Sequence, residues 1–257
     1  MYRGFRIKAL DTNSIVSYGE AEASQAKKGC HIYNKLKTYV LNDGIIDASK
    51  IQNDWFPLVD ANVFISHSHA DIKKVTLFSG LLEKWFGLKP FIDYYVWGYY
   101  QDILKLLLDR NPNADWETIS YLSSNVHLML STALSMMIDK CEVLFFYDTP
   151  NSISARDVIT KTNSAWIYHE IGISDIIRKK TPKEHRTKSN NFSMLKEAST
   201  FNFNIDLSHL EILSCDDINK WHSNFESQSK ASNYMYTSVN PLDVLYELKP
   251  ISDNFQH

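Results

Sequence analysis

The stretch "CEVLFFYD", residues 141–148, is the strongest strand signal in the sequence and sets the fold. Its centre is an unbroken run of apolar, branched and aromatic side chains, and Pro150 follows closely. A short run with no alternating polar face is typical of a strand that is buried on both sides, as in the middle of a parallel sheet. We therefore predict an α/β fold built around this strand.

Two shorter strand signals precede it, in "DANVFISHSHAD" (60–71) and "KPFID" (89–93). Helical spacing of apolar residues follows the first of them, up to Gly87, and recurs in "YQDILKLLLDR" and "SSNVHLMLSTALSMMIDK". Strands that alternate with helices predict a parallel sheet with helices on both faces, which is a flavodoxin-like fold. "FNFNIDL" alternates at period two and is predicted to be a strand near an edge, and "NPLDVLYEL" a terminal helix.

The domain organisation follows from the breaks between these elements. Pro57 in "DWFP" precedes the first strand, so residues 1–58 are predicted to be an N-terminal extension packed on the domain. Residues 59–257 form the α/β domain with its C-terminal helix. We expect an insertion after the second strand, around residues 101–127.

Composition limits the classes of function. The chain has 257 residues, a formal charge of −3 and 44% hydrophobic residues, so it can bury a core but offers no polycationic surface for nucleic acid. Three scattered cysteines indicate a reducing compartment rather than disulfides. No apolar run has the length of a membrane span or a signal peptide, so we expect a cytoplasmic protein that binds neither nucleic acid nor membrane.

Three groups of polar residues follow the predicted strands, where α/β folds carry their functional residues. The first is "SHSHAD", in which His67, His69 and Asp71 alternate. Such residues suit a metal half-site, and the stretch resembles part of the H-x-H-x-D-H signature of metallo-β-lactamase-type hydrolases. Ile72 stands where the last histidine belongs, so we predict no metal. The alternative is that Ser66 and Ser68 cap a turn and the histidines are polar rim residues.

The second group is "FIDYYVWGYY", in which Asp93 ends a strand and five aromatic residues follow it: Tyr94, Tyr95, Trp97, Tyr99 and Tyr100. Aromatic side chains beside a carboxylate form a good surface for stacking a flat heterocycle or for gripping another subunit. Packing back onto the domain itself is the alternative for such a loop.

The third group is "NSAWIYHEIGIS", residues 163–174, predicted to be a helix capped by Ser164. Trp166 and Glu170 are one turn apart and share a face. Most helical glutamates are solvated. This one lies beside isoleucines and near the strand ends, so we predict a cleft with restricted water. His169 points off that face, and we predict that it does no chemistry.

Taken in order, these three groups resemble a Toll/interleukin-1 receptor (TIR) domain over roughly residues 60–215. "DANVFISHSHAD" is similar to the family's D-V-F-I-S-[YH]-S-x-x-D strand and loop, and "KPFID" to the strand that leads into its BB loop. "CEVLFFYDTPNS…SAWIYHE" resembles a buried strand followed by S-x-W-x-x-x-E. In enzymatic members the last Glu cleaves NAD, and it corresponds to Glu170 here. The insertion, and "YDTPNSISARD" in place of the family's Ser-Pro, depart from that pattern.

The resemblance implies an NAD glycohydrolase or ADP-ribosyl cyclase of the bacterial antiphage type, with NAD as substrate and without a cofactor. It also implies a homo-oligomer assembled through the aromatic loop 94–100 and a separate effector that senses the product. Substrate-binding residues carried over from it are Trp166, Ser66, His67, Ser68, His69, Asp93 and Trp97. A non-catalytic TIR adaptor that acts by self-association and a nucleoside deoxyribosyltransferase-like enzyme are the open alternatives. The absence of G-x-G-x-x-G argues against NAD as a redox cofactor.

Overall fold

The computed structural model describes residues 1–8, 56–94, 100–109, 112–153, 161–162, 164–186, 203–204, 206–233 and 238–251. The strands in these ranges are β1 (Arg3–Lys8), β2 (Val63–Ser66), β3 (Pro90–Phe91), β4 (Val143–Asp148), β5 (Lys161–Thr162), β6 (Phe203–Asn204) and β7 (Leu210–Leu213). The helices are α1 (Ile72–Phe86), α2 (Tyr100–Asp109), α3 (Trp116–Lys140), α4 (Ala165–Ile176), α5 (Pro182–Arg186), α6 (Cys215–Asn233) and α7 (Pro241–Leu248). A 3-10 turn, His69–Asp71, precedes α1.

Five strands form one parallel sheet in the order β3-β2-β4-β1-β7, which confirms the predicted fold class. The strand predicted from "CEVLFFYD" is β4, at the centre of this sheet. Strands β2, β3 and β4 occupy the relative positions of the first three strands in the flavodoxin-like order. The position beyond β4 is filled by the first strand of the chain, β1.

Strand β1 corrects the predicted domain organisation. It pairs with β4 on one side and β7 on the other, and Phe5 and Ile7 are fully buried. A Cβ on Gly4 would lie 2.3 Å from Leu210 Cδ2, so only glycine fits this crossing without displacing a core side chain. Residues 3–8 are therefore part of the sheet and not of an appended extension. Residues 9–55 lie outside the described ranges.

Helices cover both faces of the sheet because side chains on successive strand residues point to opposite sides. On one face Phe64, Leu144 and Phe146 pack against α3 and α4. On the other face Ile65, Phe145 and Tyr147 pack against α1, α6 and α7. Within the described residues, no helix combines the length and the apolar character that crossing a bilayer requires.

Three segments add to or differ from the predicted pattern. The region around 101–127 contains α2 and the first half of α3, which pack together. Of the residues of "FNFNIDL" that the structure describes, Phe203 and Asn204 form a strand, which pairs antiparallel with β5 and is separate from the main sheet. The edge of the main sheet is β7 instead. Helix α6 was not predicted, and it is anchored by Trp221, whose ring stacks on Phe86 at 3.8 Å.

We predict that Phe5→Ala lowers the free energy of unfolding by about 3–5 kcal/mol, because it leaves a cavity in the centre of the sheet. Lys8→Ala, at the exposed end of the same strand, is the matched control and is expected to change stability by less than about 0.5 kcal/mol. Urea denaturation of both variants measures the difference. Equal stability of the two variants would show that β1 is not a core strand.

Candidate functional site

The candidate site lies at the carboxyl ends of β2 and β4, which are neighbours in the sheet. After β2 the chain continues to β3, which lies on the side of β2 away from β4. After β4 the next described strand of the main sheet is β7, which lies on the side of β4 away from β2. Parallel α/β sheets bind their ligands in the crevice where the strand order reverses in this way. The residues that follow β2 and β4 are those that the sequence analysis grouped together.

Helix α4 presents Glu170 to this crevice. The Ser164 hydroxyl accepts a hydrogen bond from the Ile167 N–H at 3.3 Å, which confirms the predicted cap. Ile167, Ile171 and Glu170 lie on one buried face of the helix, and only 4% of Glu170 is exposed. The carboxyl group is thus held inside the protein, as its position beside the isoleucines predicts.

Ser66, the last residue of β2, contacts this carboxyl group directly. Its Oγ lies 2.6 Å from Glu170 Oε2, and its side chain is fully buried. The resemblance assigned Ser66 to substrate binding, whereas the structure places its hydroxyl on Glu170. The hydrogen bond therefore joins the end of a central strand to the helix that carries the candidate catalytic residue.

Burial raises the pKa of Glu170 well above its usual value, and the nearby Asp93 carboxylate raises it further. The hydrogen bond from Ser66 opposes both effects, since it favours the ionised form. No basic side chain within the described ranges contributes to balancing Glu170. The free site therefore favours the uncharged acid.

His67, His69 and Tyr94 lie together at the rim. The rings of His67 and His69 are nearly parallel, with centroids 6.3 Å apart, and Tyr94 meets His69 edge-on at 5.5 Å. His67 is 7% exposed, and its Nδ1 lies 3.2 Å from the Ile65 carbonyl oxygen. Because a carbonyl only accepts, Nδ1 carries a proton. The buried Nε2 has no hydrogen-bond partner among the described residues.

Asp71 fixes the two loops of the crevice to each other. It is buried and accepts hydrogen bonds from the Thr149 hydroxyl and from Asn151 Nδ2, the latter at 3.0 Å. Lys74 Nζ lies 3.7 Å from the same carboxylate. Asp71 therefore ties the loop after β2 to the loop after β4. Sequence reasoning missed Thr149 and Asn151, because nothing in "YDTPNS" indicates a partner so far away in the chain.

The remaining predicted site residues divide into three cases. Trp166 is half-buried and stacks on His127 of α3, with centroids 5.7 Å apart. No sequence pattern indicates His127 as its partner. Ser68 precedes the 3-10 turn, but its side chain does not cap it. Trp97 and the rest of the aromatic loop at 95–99 lie outside the described residues.

His169 packs against α3 rather than facing Ser66. Its Nε2 lies 3.0 Å from both the Ser135 hydroxyl and the Ser131 carbonyl oxygen. Burial lowers the pKa of His169, so the neutral ring is favoured at this helix contact. Within the described ranges, no three His, Cys, Asp or Glu side chains form a group that could hold a metal ion.

A second polar group lies one turn beyond Glu170 on α4. Ser174 Oγ is 2.8 Å from His209 Nε2, and His209 Nδ1 is 3.6 Å from Asp175 Oδ1. The order resembles a catalytic triad, but Ser174 is fully buried and its hydroxyl donates to the Ile171 carbonyl. A serine nucleophile has to give its proton to the histidine, whereas this hydroxyl donates it to a backbone carbonyl. These residues therefore tie α4 to the segment before β7.

We predict that Glu170→Gln raises the free energy of unfolding at pH 7 by about 1–2 kcal/mol. In the unfolded chain a Glu ionises with a pKa of about 4.3. The folded state keeps the proton to higher pH, so wild-type stability falls as pH rises above that value. The advantage of the variant should disappear below about pH 4.

Thermal unfolding from pH 4 to 8 measures this difference. Glu184 is the matched control, since hydrogen bonds from Thr181 lower the pKa of this exposed carboxyl. Glu184→Gln is expected to give no stabilisation at pH 7. A Glu170→Gln variant that is less stable than wild type at pH 7 would contradict the expected sign.

Comparison with known proteins adds no family to this description: no protein-family model, curated protein or solved structure matches the chain. The function therefore has to follow from the residues of the crevice. They include the buried carboxyl group of Glu170 at the topological switch point, which is held by Ser66 and lies near Asp93.

Proposed function

We propose that this protein cleaves the nicotinamide–ribose bond of NAD, with Glu170 as the catalytic carboxylate. The product besides nicotinamide is ADP-ribose or a cyclic or otherwise modified ADP-ribose. The observation that carries the proposal is the burial of Glu170 at the carboxyl end of β2, with Ser66 as its hydrogen-bond partner. A buried carboxyl group in a sheet-end crevice costs stability, and such residues concentrate at functional sites.

The chemistry of NAD suits a site with one central carboxylate. The bond between ribose C1′ and the pyridinium nitrogen breaks with its electron pair going to nitrogen, so neutral nicotinamide leaves without needing a proton. Positive charge then develops on the ribose as an oxocarbenium-like ion. An ionised Glu170 beside the ribose stabilises this charge, and water or a group of the substrate itself attacks C1′.

The surrounding residues hold this geometry. Asp71 keeps the loops after β2 and β4 together through Thr149 and Asn151. Trp166 forms a wall one turn before Glu170, backed by His127. In this proposal His67, Ser68, His69, Asp93 and Trp97 line the substrate side of the crevice.

Self-association and a role in signalling are also part of the proposed function. Tyr94 begins the aromatic loop 94–100, through which copies of the chain associate and complete the crevice. The product serves as a signal for a separate effector in bacterial antiphage defence, and the protein acts in the cytoplasm. A non-catalytic adaptor has no use for a buried, destabilising carboxyl group, so the burial of Glu170 favours an enzyme over that alternative.

One observation favours a second candidate, a nucleoside deoxyribosyltransferase-like enzyme. The base of an ordinary nucleoside is neutral and takes up a proton as it leaves. The uncharged form of Glu170, favoured by burial, is able to donate one. Nucleosides therefore belong beside NAD in any substrate assay.

We predict that Glu170→Gln lowers the rate of nicotinamide release from NAD by about 10²–10³-fold, the cost of losing one preorganised electrostatic contact. Mass spectrometry of the nicotinamide and ADP-ribose products over time gives the rate and identifies the second product. His209→Gln, which alters the polar group further along α4, is the control and keeps activity. Equal release by wild type and Glu170→Gln, or release by neither under crowding, contradicts the proposal.

Ser66 gives a separate prediction for the same reaction. Ser66→Ala removes a hydrogen bond that lowers the pKa of Glu170, so the acidic limb of the pH–rate profile should move to higher pH. Ser66→Thr keeps the hydroxyl and should restore the wild-type limb. A uniform loss of activity at every pH, with no displacement of the limb, would indicate that Ser66 acts through packing alone.

A further inference from the structure

Buried carboxylates elsewhere in the described structure have basic partners. Glu142 is buried and lies 2.9 Å from Arg186, and Asp148, whose side chain is 13% exposed, lies 2.7 Å from Arg6. Asp71 has Lys74 at 3.7 Å. Glu170 differs from these carboxylates, because the charged group that acts on it is a second carboxyl group, Asp93. The positive charge that would balance an ionised Glu170 is missing from the described part of the protein.

The groups around α4 do not provide that charge. His67, at the end of β2, directs its Nδ1 to the Ile65 carbonyl. On α3, His127 stacks against Trp166, and His169 on α4 itself contacts Ser131 and Ser135. The β5–β6 ladder contributes Lys161, of which the backbone alone is described. Ser66 and Asp93 remain as the described groups that act on Glu170.

The contact with Ser66 suits both protonation states of Glu170. A hydroxyl donates to an ionised carboxylate and accepts from a carboxylic acid, so the 2.6 Å contact persists when the proton leaves. The exchange of a proton for another positive charge then requires no rearrangement of β2 or α4. The site is built to change its charge while keeping its geometry.

We propose that Glu170 is uncharged in the free protein and that the cationic nicotinamide ring of NAD displaces its proton on binding. The proton passes to solvent, and the ring leaves the total charge of the crevice unchanged. Glu170 and Asp93 are then specificity-determining residues that select the oxidised, cationic nucleotide over its neutral reduced form. This inference rests on the proposed function, and it also explains how an uncharged acid becomes the carboxylate that the reaction needs.

The sign of the pH dependence follows directly. Below the pKa of free Glu170, binding of the cation requires loss of a proton, so affinity rises by up to about tenfold for each pH unit. Above that pKa the affinity levels off. NADH shares the adenine and diphosphate groups but has a neutral ring, so its affinity should not follow this slope.

Isothermal titration calorimetry with carba-NAD tests this proposal. This analogue keeps the pyridinium charge and cannot be cleaved as a glycoside, because a carbocycle replaces the ribose. Titrations of the full chain from pH 5.5 to 8.5 should show the rise in affinity for carba-NAD and none for NADH. Two buffers of different ionisation enthalpy, compared below the pKa, should give release of about one proton for each carba-NAD bound.

Two variants sharpen the test. Glu170→Gln cannot lose a proton, so its affinity for carba-NAD should not change with pH. Asp93→Asn removes the second carboxylate, which lowers the pKa of Glu170 and should move the rise in affinity to lower pH. The proposal is overturned by equal pH dependence for carba-NAD and NADH, by binding without proton release, or by a slope that survives in Glu170→Gln.

The outcomes separate this inference from the proposed function. One outcome is nicotinamide release that depends on Glu170, together with an affinity for carba-NAD that does not change with pH. This outcome refutes the proton exchange and leaves the NAD-cleaving function intact. The opposite outcome is proton-linked binding of carba-NAD without release of nicotinamide from NAD. This outcome supports the charge selection and refutes the proposed cleavage.

Discussion

Burying a carboxyl group that has no basic partner in the described part of the chain is the constraint that shapes this crevice. Water no longer stabilises the ionised form of Glu170, and Asp93 makes ionisation still less favourable. A single hydrogen bond from Ser66 connects the carboxyl group to the sheet. Such a position weakens the fold at neutral pH. Its presence at the topological switch point is most simply explained by a ligand that compensates for it.

The rest of the crevice is built so that this uncompensated group stays in place. Asp71 is also buried, but it has two hydrogen-bond donors and Lys74, and it fixes the loops on either side of the site. The Ser174–His209 contact holds α4 to the chain before β7. These saturated polar contacts resemble ordinary structural ties. Glu170 differs from them because no basic side chain among the described residues balances its ionised form.

The sequence predicted the parts of the fold that depend on local patterns. The apolar runs of β2 and β4 and the spacing in α1 are visible without knowing any distant residue. Strand β1 was missed because Arg3 and Arg6 interrupt its apolar residues. In the structure Arg3 pairs with Glu211 and Arg6 pairs with Asp148, both far away in the chain. These ion pairs allow a strand with two arginines to lie within the sheet.

The same distinction applies to the site. The order of motifs was enough to select Glu170 and Ser66, but not to show that they contact each other across a separation of 104 residues. The stacking of His127 on Trp166 was invisible for the same reason. Spacing along a helix predicts which side chains share a face. It does not predict what that face meets, and the charge balance of a buried group depends on what it meets.

The charge state of Glu170 also decides between the two N-glycosidic chemistries that the crevice could perform. A neutral nucleoside has a base that needs a proton. It brings no positive charge that could replace the proton on Glu170. A pyridinium nucleotide needs no proton on its leaving group, and its own positive charge favours the ionised carboxylate at the moment of binding. In the proposed reaction, the positive charge of NAD itself is therefore what makes Glu170 catalytically useful. For a neutral nucleoside Glu170 would stay protonated and offer an acid but little stabilisation of the developing ribose cation. An acidic pair that lacks a basic partner among the described residues fits the first chemistry better than the second.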